Sequence, residues 1–365
     1  MAIPINVLPL TRELKKQGLD AILIAPSDDM VYLTGFKPLF CERFQGLFIT
    51  AAGDLFYVCN VLSREEIHEH LPGVKTYVWR DGEDYVQHVR QALVDHNLIG
   101  TRLGINDRVR AYDVIEISQT VNVQWVSARS LCHELRIRKT SDELADLRRA
   151  ADIADRALAD TLPQIRPGMT EADVLAILRQ AIRTHGGSEP EGLVASGPNS
   201  SFPHYIETAR TIEYGDAILF DFACKHGNMC TDISRTVFLG SVTDKQRHVY
   251  ELVHAANAAG EAAAVKGAHI PAVEQAARRV IDTGGYGAYF THRLGHGIGY
   301  LGHEAPNISV DNERVLESGM AFTIEPGIYL PGEFGVRIED CVIINEEGKT
   351  EVLHRFTKDL IVLEV

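Results

Sequence analysis

Four acidic residues lie where acid is costly to bury. Asp221 and Asp232 fall within GDAILFDFACKHGNMCTDISRTVFLG, and Glu325 and Glu339 within GMAFTIEPGIYLPGEFGVRIEDCVIIN. Both runs are rich in strand formers, and each folds back at a turn, His226-Gly227-Asn228 in the first and Pro331-Gly332 in the second. Carboxylates converging from apolar strands need positive charge beside them, and four together call for bound metal rather than a few hydrogen bonds. The stretch HRLGHGIGYLGHE between the arches adds His292, His296 and His303. Four carboxylates and one imidazole suit two divalent ions about 3.5 to 4 Å apart, manganese foremost, with cobalt or zinc as alternatives. Such a pair activates water near neutral pH and polarises a carbonyl, which is hydrolytic chemistry. His296, set between glycines where backbone approaches closely, is the preferred imidazole ligand. His303 is better placed as a donor to a developing oxyanion. Arg337, two residues before Glu339 on a strand, shares its face and is either a clamp on a metal carboxylate or an ordinary buried ion pair. His292 is either a wall of the substrate pocket or a core histidine with one ring nitrogen bonded. Cys224 and Cys230 flank the first turn without a nucleophile or zinc pattern and read as small core residues.

The elements that must hold these groups follow from periodicity. Thr140 and Glu143 form a capping-box pattern, and Leu144, Leu147, Ala151, Ala154 and Leu158 then repeat at helical spacing. A second helix opens at Thr170 with Asp173 and stops at Gly186-Gly187. After the first arch, Thr243 with Gln246 begins a third that runs to about Val265, and a fourth covers Pro271 to Asp282. The order is two helices, hairpin, two helices, hairpin, which predicts two similar halves, each donating two carboxylates to a shared centre. Helices then pack on the outer face of a curved antiparallel sheet in an α+β catalytic domain over 131–365. Residues 1–130 alternate short helix and strand signals, an α/β domain with a mixed sheet. Within it Thr11 caps a helix, DAILIAP is a strand, and DDMVYLTGF is a turn followed by a short strand. No phosphate-binding glycine loop follows any of these strands, so a nucleotide site is not expected.

A chain of 365 residues, 45% of them apolar, accommodates two domains. A formal charge of -14 opposes nucleic acid or an anionic membrane as partner. Six cysteines without paired spacing point to a reduced, cytoplasmic setting, and no leader or membrane-spanning run is expected.

Together with SGPNSSFPHY at 196–205, the quoted stretches resemble the pita-bread metallopeptidases, the family of creatinase, methionine aminopeptidase, prolidase and aminopeptidase P. The likeness spans essentially the whole chain, since residues 1–130, with VYLTGF, resemble the N-terminal domain of the prolidase and aminopeptidase P branch. It implies that Asp221, Asp232, His296, Glu325 and Glu339 are the five ligands, with Asp232 and Glu339 touching both ions. It further implies that Glu325 shuttles the proton from water to the leaving amine, and that His204 and His303 hold the substrate and stabilise the tetrahedral intermediate. The implied reaction is hydrolysis of Xaa-Pro bonds in short peptides with proline second, by a dipeptidase or an aminopeptidase, in a homodimer. Creatinases share the fold without the metal centre, a reading that five intact ligand positions disfavour. Two departures stand out: in DFAC, Ala223 stands two residues after Asp221 where the family form is closer to glycine, and Leu301-Gly302 precedes His303 in place of an apolar or acidic pair, which opens the pocket wall. They keep a second reading in view, a hydrolase or lyase of another small amide or zwitterionic compound. A catalytically silent protein-binding relative is the third.

Overall fold

The computed structural model describes residues 7–364, in two compact units, Met1–Arg136 and Ile137–Val365. Residues 1–6, part of the stretch expected to carry no leader, lie outside the described residues. The first unit contains α1 (Val7–Gln17), β1 (Ala21–Ile24), α2 (Asp28–Thr34), β2 (Gly46–Thr50), β3 (Leu55–Asn60) and α3 (Arg64–His70). It continues through β4 (Lys75–Trp79), α4 (Tyr85–Asp95), β5 (Arg102–Ile105), α5 (Ala111–Thr120), β6 (Gln124–Ser127) and α6 (Arg129–Arg136). Its sheet runs β4-β3-β2-β1-β5-β6, with β2 antiparallel to both neighbours and the other pairs parallel, a mixed sheet. One face packs Leu10, Leu14, Ile67 and Leu131 from α1, α3 and α6, and the other packs Val86, Val89, Leu93 and Ile117 from α4 and α5. α6 buries Leu131 and Cys132 in this first core, and the division falls after Arg136.

Two local expectations are corrected here. The stretch after Ser27 is a helix, because Ser27 accepts the Met30 amide at its start and Gly35, at φ 73°, closes it in the left-handed region. These caps outweigh the strand preference of Val31, Tyr32 and Thr34. Thr11 lies inside α1, not at its cap, and its hydroxyl donates to the Leu8 carbonyl.

The second unit opens with α7 (Ser141–Thr161) and α8 (Glu171–Thr184), followed by β7 (Ser188–Ser196), β8 (Ala217–His226) and β9 (Met229–Leu239). Next come α9 (Asp244–Ala263), α10 (Ile270–Thr283), β10 (Gly295–Gly297) and β11 (Glu304–Ile308). The chain ends through β12 (Ala321–Ile324), β13 (Gly327–Leu330), β14 (Phe334–Arg337), β15 (Asp340–Ile344), β16 (Thr350–Val352) and β17 (Val362–Leu363). Capping boxes at Thr140/Glu143, Thr170/Asp173 and Thr243/Gln246 start α7, α8 and α9. The strands form two sheets and a separate hairpin rather than one continuous sheet: β17-β9-β8-β7, β11-β10-β12-β15-β16 and β13-β14. β17 joins parallel to β9. Each half has its own core. Residues of α7 and α8, among them Leu158, Leu178 and Ile182, cover Phe220, Phe222 and Ile233 of β8 and β9. Residues of α9 and α10, among them Val253, Ala256 and Ala277, cover Phe322, Ile324 and Val342 of β12 and β15. An isolated bridge, Ser234 to Glu339, helps join the halves, with the Glu339 amide donating to the Ser234 carbonyl at 3.0 Å. No helix among the described residues is long and apolar enough to cross a membrane.

Candidate metal centre

In β8, Phe220, Phe222 and Cys224 face the helices, so the period-2 alternation turns Asp221 and Ala223 to the opposite face. Register pairs Asp221 with Ser234 and Ala223 with Asp232, placing both aspartates diagonally on that face. Gly227, at φ 58°, permits the tight turn between the strands. In the other half, Ile324 pairs with Asp340, so Glu325 and Glu339 leave β12 and β15 side by side where the hairpin β13-β14 is inserted. His296, on the short strand β10, is buried between glycines with its amide donating to the Thr323 hydroxyl at 3.0 Å.

The five side chains converge. Ligand atoms of Asp221, Asp232 and Glu339 lie within 4.8 Å of one another, as do those of His296, Glu325 and Glu339. The two groups share Glu339. Asp232, His296 and His303 form a third such group. The chain thus carries a dinuclear metal-binding site.

Electrostatics support this fit. Burial, then the charges of Asp221 and Glu325, push the Asp232 carboxyl well above the ordinary carboxylate range. Burial with Asp232 and Glu325 does the same to Glu339. Burial raises Glu325 to about 7 against the opposing pull of Arg337. These acids repel one another, and a dication among them removes the repulsion. His296, lowered to about 3 by burial and His303, is neutral. Its Nδ1 lies 3.1 Å from the Gly297 carbonyl and carries the proton, which leaves the Nε2 lone pair facing Glu325 Oε1 at 3.2 Å and Asp232 Oδ2 at 3.9 Å. A lone pair facing carboxylate oxygens is an arrangement that a cation completes.

Supporting contacts orient the carboxylates. Arg337, buried, reaches Asp221 with one terminal nitrogen, the Tyr329 hydroxyl with the other at 2.7 Å, and the Ser234 hydroxyl through Nε at 2.8 Å. Ser234 in turn donates to Glu339 Oε2 at 2.6 Å. The two readings of Arg337 thereby merge: its ion pair is with a residue of the acidic cluster. His292, lowered to about 4 by burial and Arg337, is neutral, with Nδ1 donating to the Arg293 carbonyl and Nε2 accepting from Tyr329. Both of its ring nitrogens are bonded, one more than the core-histidine reading required. His303 is exposed and stacks on His296 with ring centroids 3.7 Å apart. Arg293 Nη2 approaches His303 Nδ1 at 3.3 Å, and because a guanidinium only donates, Nε2 of His303 carries the ring proton. His204 is exposed on the irregular stretch after the turn Gly197–Ser201.

Sequence reasoning missed Tyr329, Thr323 and Ser234. Thr323 donates to Glu325 Oε1 at 3.1 Å. Ser234 was within reach of strand periodicity, two residues after Asp232, whereas Tyr329 was hidden in an apolar run.

Residues 145–346 match metallopeptidase family M24, and residues 8–138 match the creatinase/prolidase N-terminal domain. The chain belongs to metallopeptidase family M24. Among its relatives in this family, an Xaa-Pro dipeptidase from Lactobacillus delbrueckii subsp. lactis is 32% identical, with 99% of each chain covered. A prolidase structure from Thermococcus sibiricus superposes with a TM-score of 0.94 at 32% identity, covering 100% of both chains. An X-Pro aminopeptidase from Thermotoga maritima superposes with a TM-score of 0.85 at 28% identity, covering 98% of this chain and 99% of that one. The pita-bread fold and the metallopeptidase class expected from the motifs are both found.

Proposed function

We propose that this chain hydrolyses Xaa-Pro bonds in short peptides with two divalent ions held by Asp221, Asp232, His296, Glu325 and Glu339. The observation that carries this reading is the pair of overlapping ligand groups joined at Glu339, on a chain that Xaa-Pro peptidases match from end to end. Manganese is the first candidate, ahead of cobalt and zinc, because four of the five ligands offer oxygen. When bound, the ions supply Lewis-acid polarisation of the scissile carbonyl and a water nucleophilic near neutral pH.

The chain's own groups do the rest. Glu325 takes a proton at one carboxylate oxygen and returns it to the proline nitrogen as the bond breaks. Proline makes that amide tertiary, so protonating the leaving nitrogen is the demanding step. His303, with its proton on Nε2, donates to the oxygen that gains charge, and Arg293 fixes that tautomer. The same contact makes His303 a donor to substrate rather than a sixth ligand. His204 holds the substrate from the exposed side.

Hydrolysis of an Xaa-Pro dipeptide beside the matched Xaa-Pro-Xaa tripeptide and an Xaa-Ala dipeptide tests the reading. Cleavage of either proline peptide in preference to Xaa-Ala supports it, and the dipeptide-to-tripeptide ratio separates dipeptidase from aminopeptidase. Cleavage of Xaa-Ala alone would turn attention to the wall at Leu301-Gly302, both half-exposed, and to a different amide substrate.

A further inference from the structure

His303 stands at the end of the loop between β10 and β11, and what fixes that loop lies behind it. Glu304 follows His303 and, by strand alternation, sends its side chain the opposite way, into the protein. There it meets Lys139 Nζ at 2.6 Å, with the two side chains 2% and 0% exposed. Its second oxygen accepts the Leu301 amide at 3.3 Å. The loop is packed flush on this pair: a Cβ at Gly299 would sit 2.4 Å from Lys139 Cε and 2.7 Å from Glu304 Oε1. Two further ties bracket the same segment. The Cys230 amide donates to the Gly299 carbonyl at 2.7 Å, and the Tyr300 hydroxyl donates to Glu143 Oε1 at 2.7 Å.

Resting on the function proposed above, we propose that Lys139 is a positioning residue that acts through Glu304 to hold His303 over His296. A fully buried ion pair adds little to stability compared with an apolar pair of similar size, but it makes departure from one arrangement expensive, because moving Glu304 breaks a charge-assisted contact from which water is excluded. The consequence is placement. The loop has one position available, and the ring of His303 is presented there before substrate arrives.

The experiment is a double-mutant cycle of Lys139→Met with His303→Ala, read by steady-state kinetics, by bound metal, and by hydrogen exchange at carbon 2 of the His303 ring followed by mass spectrometry. Lys139→Met lowers kcat about 10- to 100-fold, the loss expected when a reacting group is displaced by an ångström. KM changes by less than about threefold, since the charge this donor meets develops chiefly in the transition state. Two ions remain bound, ring exchange accelerates, and in the His303→Ala background Lys139→Met has no further effect on kcat. Glu304→Gln, which keeps an acceptor for Lys139, gives a smaller loss with the same pattern and serves if Lys139→Met does not fold. Multiplicative losses in the cycle, or unaltered ring exchange in the folded variants, overturn the proposal. Should the wild-type protein cleave no Xaa-Pro peptide, the functional reading fails, while the exchange measurement still decides the role of Lys139.

Discussion

Glu339 shows how much one carboxylate is asked to do. It shares ligand reach with two groups, accepts a hydrogen bond from the Ser234 hydroxyl, and takes part in a backbone bridge between the two halves. Glu339→Gln keeps the size and removes the charge. Its kcat/KM should fall about a thousandfold, matching loss of several kcal/mol of metal-based stabilisation, with fewer ions retained by elemental analysis. Ser234→Ala removes only the hydroxyl that orients Glu339. Metal affinity should weaken about 10- to 100-fold by calorimetric titration, with secondary structure unchanged by circular dichroism. A variant that binds metal as tightly as wild type would show that the backbone alone orients Glu339.

At the scale of elements, the helices and hairpins that carry the site were the most legible part of the sequence. Threonine caps with acid or amide three residues on mark α7, α8 and α9, and the alternation in β8 separates Asp221 from Phe220 and Phe222. The Thr140 cap should contribute about 1 kcal/mol, so Thr140→Ala lowers the unfolding midpoint measurably. Leu178→Ala in the core beneath β8 should cost about 2 to 5 kcal/mol by denaturant unfolding. Elsewhere the sequence said less. β7 was missed because Pro190 and Gly192 punctuate a polar run, and its pairing is written in β8 rather than in itself. The helix after Ser27 was missed because strand-prone residues between its caps drew the reading away. The contacts behind the site were beyond reach for another reason. Lys139 with Glu304 is separated by 165 positions and Arg337 with Asp221 by 116, so neither pair leaves a local pattern.

For the molecule as a whole, the metal centre lies where the two halves of the second unit meet. Among the described residues, the groups that could hold an ion all gather at the single site joining the two halves of the second unit, each half with its own core. Bound ions should therefore stabilise that unit as a body. At a free concentration one hundred times the dissociation constant, one ion adds about 2.7 kcal/mol, so chelation lowers the thermal midpoint of the second unit. A midpoint indifferent to chelator and added metal would detach the site from the stability of the fold.

The most direct test of the central claim is a titration of chelator-stripped protein with manganese, in which Xaa-Pro hydrolysis and bound ions are measured on the same samples. The prediction is no hydrolysis in the stripped protein, a rise to full activity as two ions bind per chain, and no recovery in Glu339→Gln at any concentration. Full activity without metal, or a maximum reached with one ion bound, would contradict a dinuclear centre built by these five residues.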